Sequence, residues 1–451
     1  TPAAPPPLKT TPIFCCASHS VGRMKKSEKI KAQKLRKFVL LYKVRPYNEK
    51  MEKKSTGNKE ELKITLKCLF GFEQTLVEEL EELGYPKAEL LNRAVRITGS
   101  WRDVYYLNLY ARCAISILVE IDKFYINSEE DLYRRSMKIK WTEIFDVSKT
   151  FAVKGAVFST LFNNTQYPYL VVKDAIVDSF RNAFDERPDV ELKRPQVLFD
   201  LYIKEREVTI SMNTSGIPLF QRGYREAVGD APMNEVVAAS LIRLSKWDRK
   251  TTFLDPFCGS GTLLMEAALL ASGIPSNIER QHYAFKNLKN YDESIWNEIY
   301  DNAPRTVRSL PCKIMGSDLS DEMILKTRRN LRSMSFGRFI ETKACSFEEN
   351  TKTDDEAIFI LTNPPYGERL AANTQELYEN IGNWLKHTMT NSQAWIITSS
   401  EDGLKSIGLR PSVKHKVFNG DLECSFRMFE TYAGSKRTHF PFDEQAEKED
   451  E

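Results

Sequence analysis

The stretch "TNPPY" at positions 362–366 combines residue types that suit the binding of an amino group. Pro364 and Pro365 have no N–H, so they contribute only carbonyl acceptors, and Asn363 adds a side-chain oxygen. Two acceptors can hold the hydrogens of an amino group and turn the nitrogen lone pair toward an incoming carbon. Tyr366 can stack on a flat substrate. The alternative interpretation is a plain loop that happens to contain prolines.

This motif alone fits several amino groups: guanine N2, adenine N6, cytosine N4 and the side-chain amide of glutamine. Each of these nitrogens is a weak nucleophile, because its lone pair is delocalised. Placement of the nitrogen in line with the carbon donor therefore supplies much of the rate, and the chemistry requires no general base.

A second candidate site is the segment "FLDPFCGSG" at 253–261, where a buried strand ends at Asp255. Gly259 and Gly261 let the backbone approach a ligand, and a helix follows at once, as at ligand sites in open α/β sheets. A phosphate-binding loop is disfavoured, because no Gly-Lys-Ser/Thr follows and the carboxylate would repel phosphate. The carboxylate suits a cationic, hydroxyl-bearing ligand such as S-adenosylmethionine. A purely structural turn is the remaining interpretation.

The third candidate is Asp318 in "GSDLS" (316–320), directly after the next predicted strand. In dinucleotide-binding folds a carboxylate about 20 residues beyond the glycine turn accepts hydrogen bonds from ribose hydroxyls. Here a polar and aromatic insertion at 273–310 lengthens that spacing. Asp318 alone is therefore weak evidence for a ribose site. Its position one strand after the glycine turn makes it a candidate ligand for the ribose hydroxyls.

The elements that must position these residues alternate between strand and helix, which predicts a Rossmann-like, mostly parallel sheet. Predicted strands are 251–255, 313–318, 339–344, 357–363 and 393–399; predicted helices are 262–272, 321–332 and 375–388; a hairpin at 415–420 and 424–432 closes the sheet. Upstream, alternating patterns and a hairpin at 197–216 predict an α+β module instead. We expect a leader and linker at 1–61, the α+β module at 62–216, the α/β domain at 217–440 and an acidic tail at 441–451.

Composition limits the class of protein. The chain has 451 residues, 28% of them charged, with a net charge of +3. No apolar run reaches about 18 residues, so no membrane span is predicted. The eight cysteines form no CxxC pair and the five histidines are scattered, so neither a metal site nor a disulfide framework is predicted. Residues 1–27 lack acidic side chains, a composition that fits the tail of a plastid or other organelle transit segment, and a cytoplasmic, disordered leader is the alternative.

The motifs together resemble a known family. "FLDPFCGSGTLLMEAAL" (253–269), "GSDLS" and "TNPPYGERL" (362–370) look like class I S-adenosylmethionine-dependent methyltransferases that modify amino groups. "PLFQRGYREAVGDAPMNEVVAASL" (218–241) is similar to the N-terminal half of bacterial large-subunit ribosomal RNA guanine-N2 methyltransferases. Residues 107–121 and 163–180 resemble their ferredoxin-like and THUMP region, which is RNA-binding. The resemblance spans about residues 64 to 432.

By resemblance, Asn363 to Tyr366 would hold the target guanine and Asp318 the ribose hydroxyls of the cofactor. Arg222, Gly223 and Tyr224 match a family motif that we expect near the cofactor pocket or the domain junction. The full set of expected cofactor-binding residues is Asp255, Pro256, Cys258, Gly259, Ser260, Gly261, Asp318 and Ser346.

Two departures limit the resemblance. Where the family has an acidic residue for the adenine amino group, this chain has Cys345 or Ser346, and a serine hydroxyl would accept that bond without charge. The larger bacterial enzymes also carry a second methyltransferase domain, so only the guanine-N2 activity is implied. RNA would contact basic residues of the α+β module, whose charges supply salt-sensitive affinity for phosphates. The alternative is that these residues only form a solvated surface. They are Lys173, Arg181, Arg187, Lys193, Arg194 and the basic residues of 133–135 and 137–141.

The sequence therefore predicts a methyltransferase that modifies the N2 of a flipped-out guanine in RNA, most naturally large-subunit ribosomal RNA. Transfer RNA is an alternative substrate. A ribosome-assembly factor without catalytic activity and a protein-glutamine methyltransferase are alternatives of other classes. We expect no metal and no membrane partner, and the sequence leaves the oligomeric state open.

Overall fold

The structure of the protein is a computed structural model that describes residues 61–227, 233–353, 356–365, 374–420 and 422–432. Residues 1–60 of the predicted leader and linker, the predicted acidic tail and Tyr366 lie outside these residues. The described chain contains two seven-stranded sheets. None of its helices is long and apolar enough to cross a membrane.

The first sheet has the strand order β2-β3-β1-β4-β7-β6-β5 and is antiparallel except for the parallel pair β5–β6. This arrangement confirms the predicted α+β module and its hairpin. The strands are Leu62–Lys67 (β1), Glu89–Leu91 (β2), Ala94–Gly99 (β3), Ser116–Tyr125 (β4), Phe151–Phe158 (β5), Val197–Lys204 (β6) and Glu207–Asn213 (β7).

Helices cover one side of this sheet. On β6 the side chains of Phe199, Leu201 and Ile203 are buried, and the Phe199 ring packs against Trp141 and Phe145. The alternate side chains of β6 point away from the helices, as the two-residue period of a strand requires. The helices are Glu73–Glu82 (α1), Trp101–Tyr110 (α2), Glu129–Ser136 (α3), Trp141–Ile144 (α4) and Tyr167–Phe184 (α5).

The second sheet has the order β10-β9-β8-β11-β12-β14-β13. Neighbouring strands from β10 to β12 are parallel, while β14 runs antiparallel to both β12 and β13. The predicted Rossmann-like sheet and its closing hairpin are confirmed. Its strands are Thr252–Asp255 (β8), Ile314–Asp318 (β9), Ile340–Ala344 (β10), Ile358–Thr362 (β11), Gln393–Thr398 (β12), Val413–Asn419 (β13) and Leu422–Glu430 (β14).

The helices of this part include three that the sequence pattern did not reveal, α6, α8 and α11. Their bounds are Glu235–Leu244 (α6), Thr262–Ser272 (α7), Glu293–Asp301 (α8), Asp321–Arg332 (α9), Thr374–His387 (α10) and Glu401–Ser406 (α11). Short 3-10 turns lie at Ala284–Asn287, Gly337–Phe339 and Phe347–Glu349.

The insertion at 273–310 joins the two sheets. Its helix α8 faces α2, where Arg102 makes two hydrogen bonds to the Glu298 carboxylate at 2.7 and 2.8 Å. The ring of Phe285 lies 4.7 Å from that of Tyr105, centroid to centroid, in a shared aromatic core. The insertion therefore packs the α/β domain against the α+β module.

Candidate active site

Three strand ends converge at one edge of the second sheet. Asp255 ends β8, Asp318 ends β9 and Thr362 ends β11, and β8 lies between the other two strands. Because parallel strands end at the same edge, their last residues surround one space. This space is a cavity of about 1130 Å³.

Most residues predicted for the site line this cavity. They are Asp255, Pro256, Cys258, Gly259, Ser260, Asp318, Ser346, Asn363, Pro364 and Pro365. Gly261 is not among the lining residues and instead begins helix α7 as its N-terminal cap. Tyr366 lies outside the described residues, so its stacking role stays a prediction.

The glycine turn is held by hydrogen bonds between its backbone and side chains of the neighbouring strand and helix. The Gly259 N–H donates to Asp318 Oδ2 at 2.9 Å, and the Thr327 hydroxyl donates to the Gly259 carbonyl at 2.7 Å. Gly261 has a φ of +84°, and a β-carbon there would lie 2.8 Å from Thr327 Cγ2. The turn therefore needs glycine at 261 for both conformation and space.

Asp318 accepts hydrogen bonds from the protein itself and can also accept them from a ligand. Its Oδ2 accepts from Gly259, and its Oδ1 accepts from the Ser320 N–H at 3.0 Å. A carboxylate has about four acceptor positions, so ribose hydroxyls can still bind. Asp318 thus couples the shape of the glycine turn to the predicted ribose position.

Asp255 is buried at the base of the cavity. Its pKa is raised to about 7, mainly by burial and in smaller part by the nearby Asp318 charge, while hydrogen bonds from the Thr362 hydroxyl and the Phe257 N–H lower the pKa. The bond from Thr362 to Asp255 Oδ1 is 2.7 Å long and joins the ends of β8 and β11. A group with such a pKa takes part in ligand binding more often than a surface carboxylate does.

Asn363 contributes an acceptor that has no partner among the described residues. Its side-chain oxygen Oδ1 is buried, yet no residue that the structure describes donates a hydrogen bond to it. Buried acceptors are almost always satisfied, so an unsatisfied one in a cavity wall indicates a ligand donor. This observation supports the expectation that Asn363 accepts from an amino group.

The edge next to β10 differs from the expectation. The Ser346 hydroxyl donates to the carboxylate of Glu348, and both residues line the cavity. An acidic group therefore does reach this edge, two residues after the position that the family pattern indicated. Phe347 lies beside it and packs on Phe257 with ring centroids 5.1 Å apart. The one-turn helix Phe347–Glu349, which sequence reasoning missed, presents these side chains.

The opposite wall was not anticipated from the sequence. It consists of α10 residues and the tip of the β13–β14 hairpin, namely Glu376, Leu377, Asn380, Asn419, Gly420 and Leu422. The hairpin touches the α+β module, since the Phe418 and Phe70 ring centroids are 5.8 Å apart. A contact between the module and a cavity wall is thus built into the structure.

The segment "RGYR" lies at the domain junction, one of the two places expected. Arg222 is buried and donates to the Arg112 carbonyl at 2.6 Å and to Glu266 Oε1 at 3.4 Å. Tyr224 donates to the same Glu266 oxygen at 2.9 Å. Further along, Asn330 Nδ2 donates to the carbonyls of Ala227 and Ser260, at 2.9 and 3.0 Å, and so ties this segment to the glycine turn.

No group of three or more His, Cys, Asp or Glu side chains in the described chain is placed to hold a metal ion. The described cysteines that the structure records as free thiols are all buried or half-buried.

Three families match consecutive parts of the chain: a RlmL ferredoxin-like domain at residues 63–118, a THUMP domain at 127–213 and an "RMKL-like, methyltransferase domain" at 222–427. A ribosomal RNA large subunit methyltransferase K/L from Shewanella frigidimarina is 35% identical over 378 residues, which are 82% of this chain and 53% of that protein. The chain spans about half the length of this relative.

Solved structures show the same fold over most of the chain. A possible methylase from Clostridium difficile 630 is 28% identical with a TM-score of 0.72, and the alignment covers 84% of this chain and all of that one. A possible methyltransferase complexed with SAH has a TM-score of 0.73 at 24% identity, with coverage of 84% and 100%. The chain therefore contains, in this order, parts that match a RlmL ferredoxin-like domain, a THUMP domain and an RMKL-like methyltransferase domain.

Proposed function

We propose that this protein methylates the exocyclic N2 of a guanine in RNA, with S-adenosylmethionine as methyl donor. The observation that carries the proposal is the buried, unpartnered Asn363 Oδ1 at the wall of a cavity that also contains the glycine turn. A relative that is 35% identical is named a ribosomal RNA large subunit methyltransferase, which supports RNA as the substrate.

The cavity residues fit the proposed cofactor. When bound, S-adenosylmethionine supplies a methyl group on a sulfonium, which an amino nitrogen can attack. Asp255 and Asp318 place carboxylates where a cationic, hydroxyl-bearing ligand needs acceptors, and the glycine turn leaves room beside them. Glu348 offers a charged acceptor at the edge where the adenine was expected. Ligand pockets commonly measure about 300–1,000 Å³, so 1130 Å³ accommodates a cofactor together with a base.

The protein groups act on the base by holding its amino nitrogen. Asn363 Oδ1 accepts one amino hydrogen, and the Pro364 carbonyl is the second proposed acceptor. With both hydrogens fixed, the nitrogen lone pair points along one direction, and correct placement alone gives a large rate gain. Thr362 bonds Asp255 at 2.7 Å, which fixes Asn363 relative to the cofactor side of the cavity. The proton released from nitrogen passes to water.

The test compares Asn363→Ala with Asn302→Ala, whose asparagine is exposed and follows the last residue of α8. Methyl transfer to RNA would be measured with labelled S-adenosylmethionine, and cofactor binding by calorimetry. We expect Asn363→Ala to lose about a hundredfold in rate, as for loss of one positioning hydrogen bond in other active sites, with unchanged cofactor affinity. Full activity in Asn363→Ala would contradict the proposal.

The substrate RNA and the modified base are tested by nucleoside mass spectrometry of RNA from cells lacking the protein. Loss of N2-methylguanosine from large-subunit ribosomal RNA is the expected result. Loss of N2-methylguanosine from transfer RNA would show that transfer RNA is the substrate. Loss of another methylated nucleoside would overturn the guanine assignment. Protein that binds no cofactor at millimolar concentration would indicate a non-catalytic RNA-binding factor.

We also propose an organelle, with the plastid first, as the compartment. The support is the absence of acidic residues from positions 1–27, together with their content of Ala, Pro, Ser and Thr. A fluorescent protein fused behind residues 1–61 would locate in that organelle, and a diffuse cytoplasmic signal would contradict the proposal.

A further inference from the structure

One face of the first sheet carries no covering helix in the described chain. On β6 the residues between the buried positions are Asp200, Tyr202 and Lys204, and the latter two are exposed. We call this side the open face and define its central part by β4, β7, β6 and β5, which are neighbours in that order.

Side chains on the open face form rows across these four strands. In the outermost row Tyr125 on β4 is paired with Glu207 on β7, Glu207 with Lys204 on β6, and Lys204 with Phe158 on β5. The next row inward consists of Lys123, Thr209, Tyr202 and Ala156, and the third consists of Glu120, Ser211, Asp200 and Lys154.

A β-bulge places Tyr125 in this surface. The register of β4 shifts between Glu120 and Asp122, so that Lys123 and Tyr125 share the face of Glu120. A regular strand would have turned Tyr125 to the helix-covered side, where Phe124 is buried instead. The aromatic ring on the open face therefore depends on a specific irregularity of the backbone.

Three large rings are exposed on this face. The exposed fraction is 66% for Tyr125, 61% for Phe158 and 41% for Tyr202. The rings of Phe158 and Tyr202 approach edge to face at 6.2 Å, centroid to centroid. A single exposed aromatic needs no explanation, but three within two adjacent rows form a ligand-sized surface.

The charges between the rings leave the face cationic. Each carboxylate is paired: Glu120 with Lys63 at 2.8 Å, Asp200 with Lys67 at 2.5 Å and Glu207 with Lys123 at 2.9 Å. Within the described chain Lys154 and Lys204 form no ion pair. They lie beside Tyr202 and Phe158, so a bound anion would meet two unpaired ammonium groups next to the exposed rings.

We infer that the open face binds a single-stranded segment of RNA, whose bases stack on Tyr202, Phe158 and Tyr125 and whose phosphates contact Lys154 and Lys204. This rests on the proposed function, which makes RNA the partner. Stacking rings interleaved with cations are how proteins bind single strands. A protein partner is disfavoured, because lysines are depleted from the buried centre of protein–protein interfaces.

The dimensions suit several nucleotides. Neighbouring strands are about 4.8 Å apart, so the row from Tyr125 to Phe158 spans three such steps, or roughly 14 Å. A stretched single strand of two or three bases covers this length. Helical RNA cannot present unstacked bases to the rings, so the open face is selective for unpaired segments.

The experiment measures binding of a fluorescein-labelled, mixed-sequence single-stranded RNA of about 12 nucleotides by fluorescence anisotropy. We expect Tyr202→Ala/Phe158→Ala to weaken binding about tenfold or more, and Tyr202→Phe/Phe158→Tyr to retain it, because rings are kept. Lys154→Glu/Lys204→Glu should weaken binding and lower the salt slope by about 1.4, the value for two phosphate contacts on a single strand. The matched control is Leu90→Ala/Leu325→Ala, which removes two exposed apolar side chains that lie outside the open face and outside α5.

Calorimetry with S-adenosylmethionine on the same variants separates this inference from the proposed function. Lost RNA binding with unchanged cofactor binding supports the open face. RNA binding and methyl transfer that are both unaffected by Tyr202→Ala/Phe158→Ala overturn it and leave the proposed function standing. If analytical ultracentrifugation shows a dimer for the wild type and a monomer for Tyr202→Ala/Phe158→Ala, with no change in RNA binding, the open face is a contact between copies of the chain. That result also overturns the inference.

Discussion

Asp255 lies in an environment that differs strongly from that of a surface carboxylate. Its carboxyl group is fully enclosed at the end of β8, with Asp318 close enough to oppose its ionisation. The Thr362 hydroxyl and the Phe257 N–H favour the ionised form but do not offset burial. In the folded protein its pKa is about 7, compared with 3.8 for an ordinary aspartate.

This raised pKa makes stability depend on pH. The folded protein holds the Asp255 proton more tightly than the unfolded chain does, so the free energy of unfolding falls as the pH rises toward 7. Asp255→Asn cannot ionise and removes this dependence. Between pH 5 and 8 we expect the stability of the wild type relative to Asp255→Asn to fall by roughly 3 kcal/mol, measured by urea unfolding.

The control for this prediction is Asp402→Asn, because Asp402 is exposed and its pKa is lowered by a hydrogen bond from Lys405. Its titration lies below pH 5, so its stability difference should stay constant from pH 5 to 8. A constant difference for Asp255→Asn as well would show that Asp255 ionises like a surface residue.

The sequence predicted individual site residues correctly where a motif lies directly at the end of a predicted strand. Asp255, Asp318 and Asn363 all line the cavity because strand ends in an α/β sheet meet at one edge. Glu348 was missed for a physical reason. It reaches the cavity through a one-turn helix after β10, whose shape depends on the Ser346 and Glu349 capping bonds and not on any strand or helix period.

Among the structural elements, the glycine turn has the strictest requirements. Gly259 and Gly261 both have positive φ, +53° and +84°, but their surroundings differ. A β-carbon at 259 would meet nothing within 4 Å, whereas one at 261 would collide with Thr327. The two positions therefore separate backbone strain from loss of space.

We expect Gly259→Ala to reduce the free energy of unfolding by roughly 1–2 kcal/mol, the cost of a left-handed backbone alone. Gly261→Ala should cost roughly 3 kcal/mol and also weaken cofactor binding, because α7 must shift at its first turn. Chemical denaturation and calorimetry measure the two effects. Equal costs for both variants would mean that Thr327 moves aside freely.

The strands and the three helices predicted for the second sheet are confirmed, whereas α6 was not predicted. Eight of its ten residues are buried, so the pattern shows no polar face. Such a helix cannot be distinguished by period from a buried strand. The insertion at 273–310 was likewise not recognised as structural, because its aromatic residues find their partners in α2, far away in the sequence.

For the whole molecule the decisive feature is a buried polar junction. Arg112 of the α+β module donates to the carbonyls of Leu269 and Ile274, at 3.1 and 2.6 Å, at the C-terminal end of α7. Arg222 bonds both the Arg112 carbonyl and Glu266. Helix α7 therefore has the glycine turn at one end and the α+β module at the other.

Breaking this junction should be costly. Arg222→Met leaves Glu266 buried without its ion-pair partner, and we expect a loss of roughly 3–5 kcal/mol in the free energy of unfolding. Arg222→Met/Glu266→Met should be less damaging than the two single variants added together, by about 1–3 kcal/mol. Urea unfolding of the four proteins measures this cycle.

The comparison variant is Lys405→Ala, which removes a largely exposed ion pair with Asp402 and should change stability by less than about 0.5 kcal/mol. Additive effects of the two junction variants would show that Arg222 and Glu266 act independently. None of these contacts follows from sequence patterns, since each joins residues that neither helix nor strand periodicity relates.

The junction also has a consequence for substrate choice. The distance between an RNA segment held on the sheet of one module and a base held at Asn363 of the other is set by α7 and by the buried hydrogen bonds of the junction. The modified nucleotide would then be the one that lies a fixed number of nucleotides along the strand from the bound segment. Lengthening that strand by one nucleotide should move the modification to the neighbouring position.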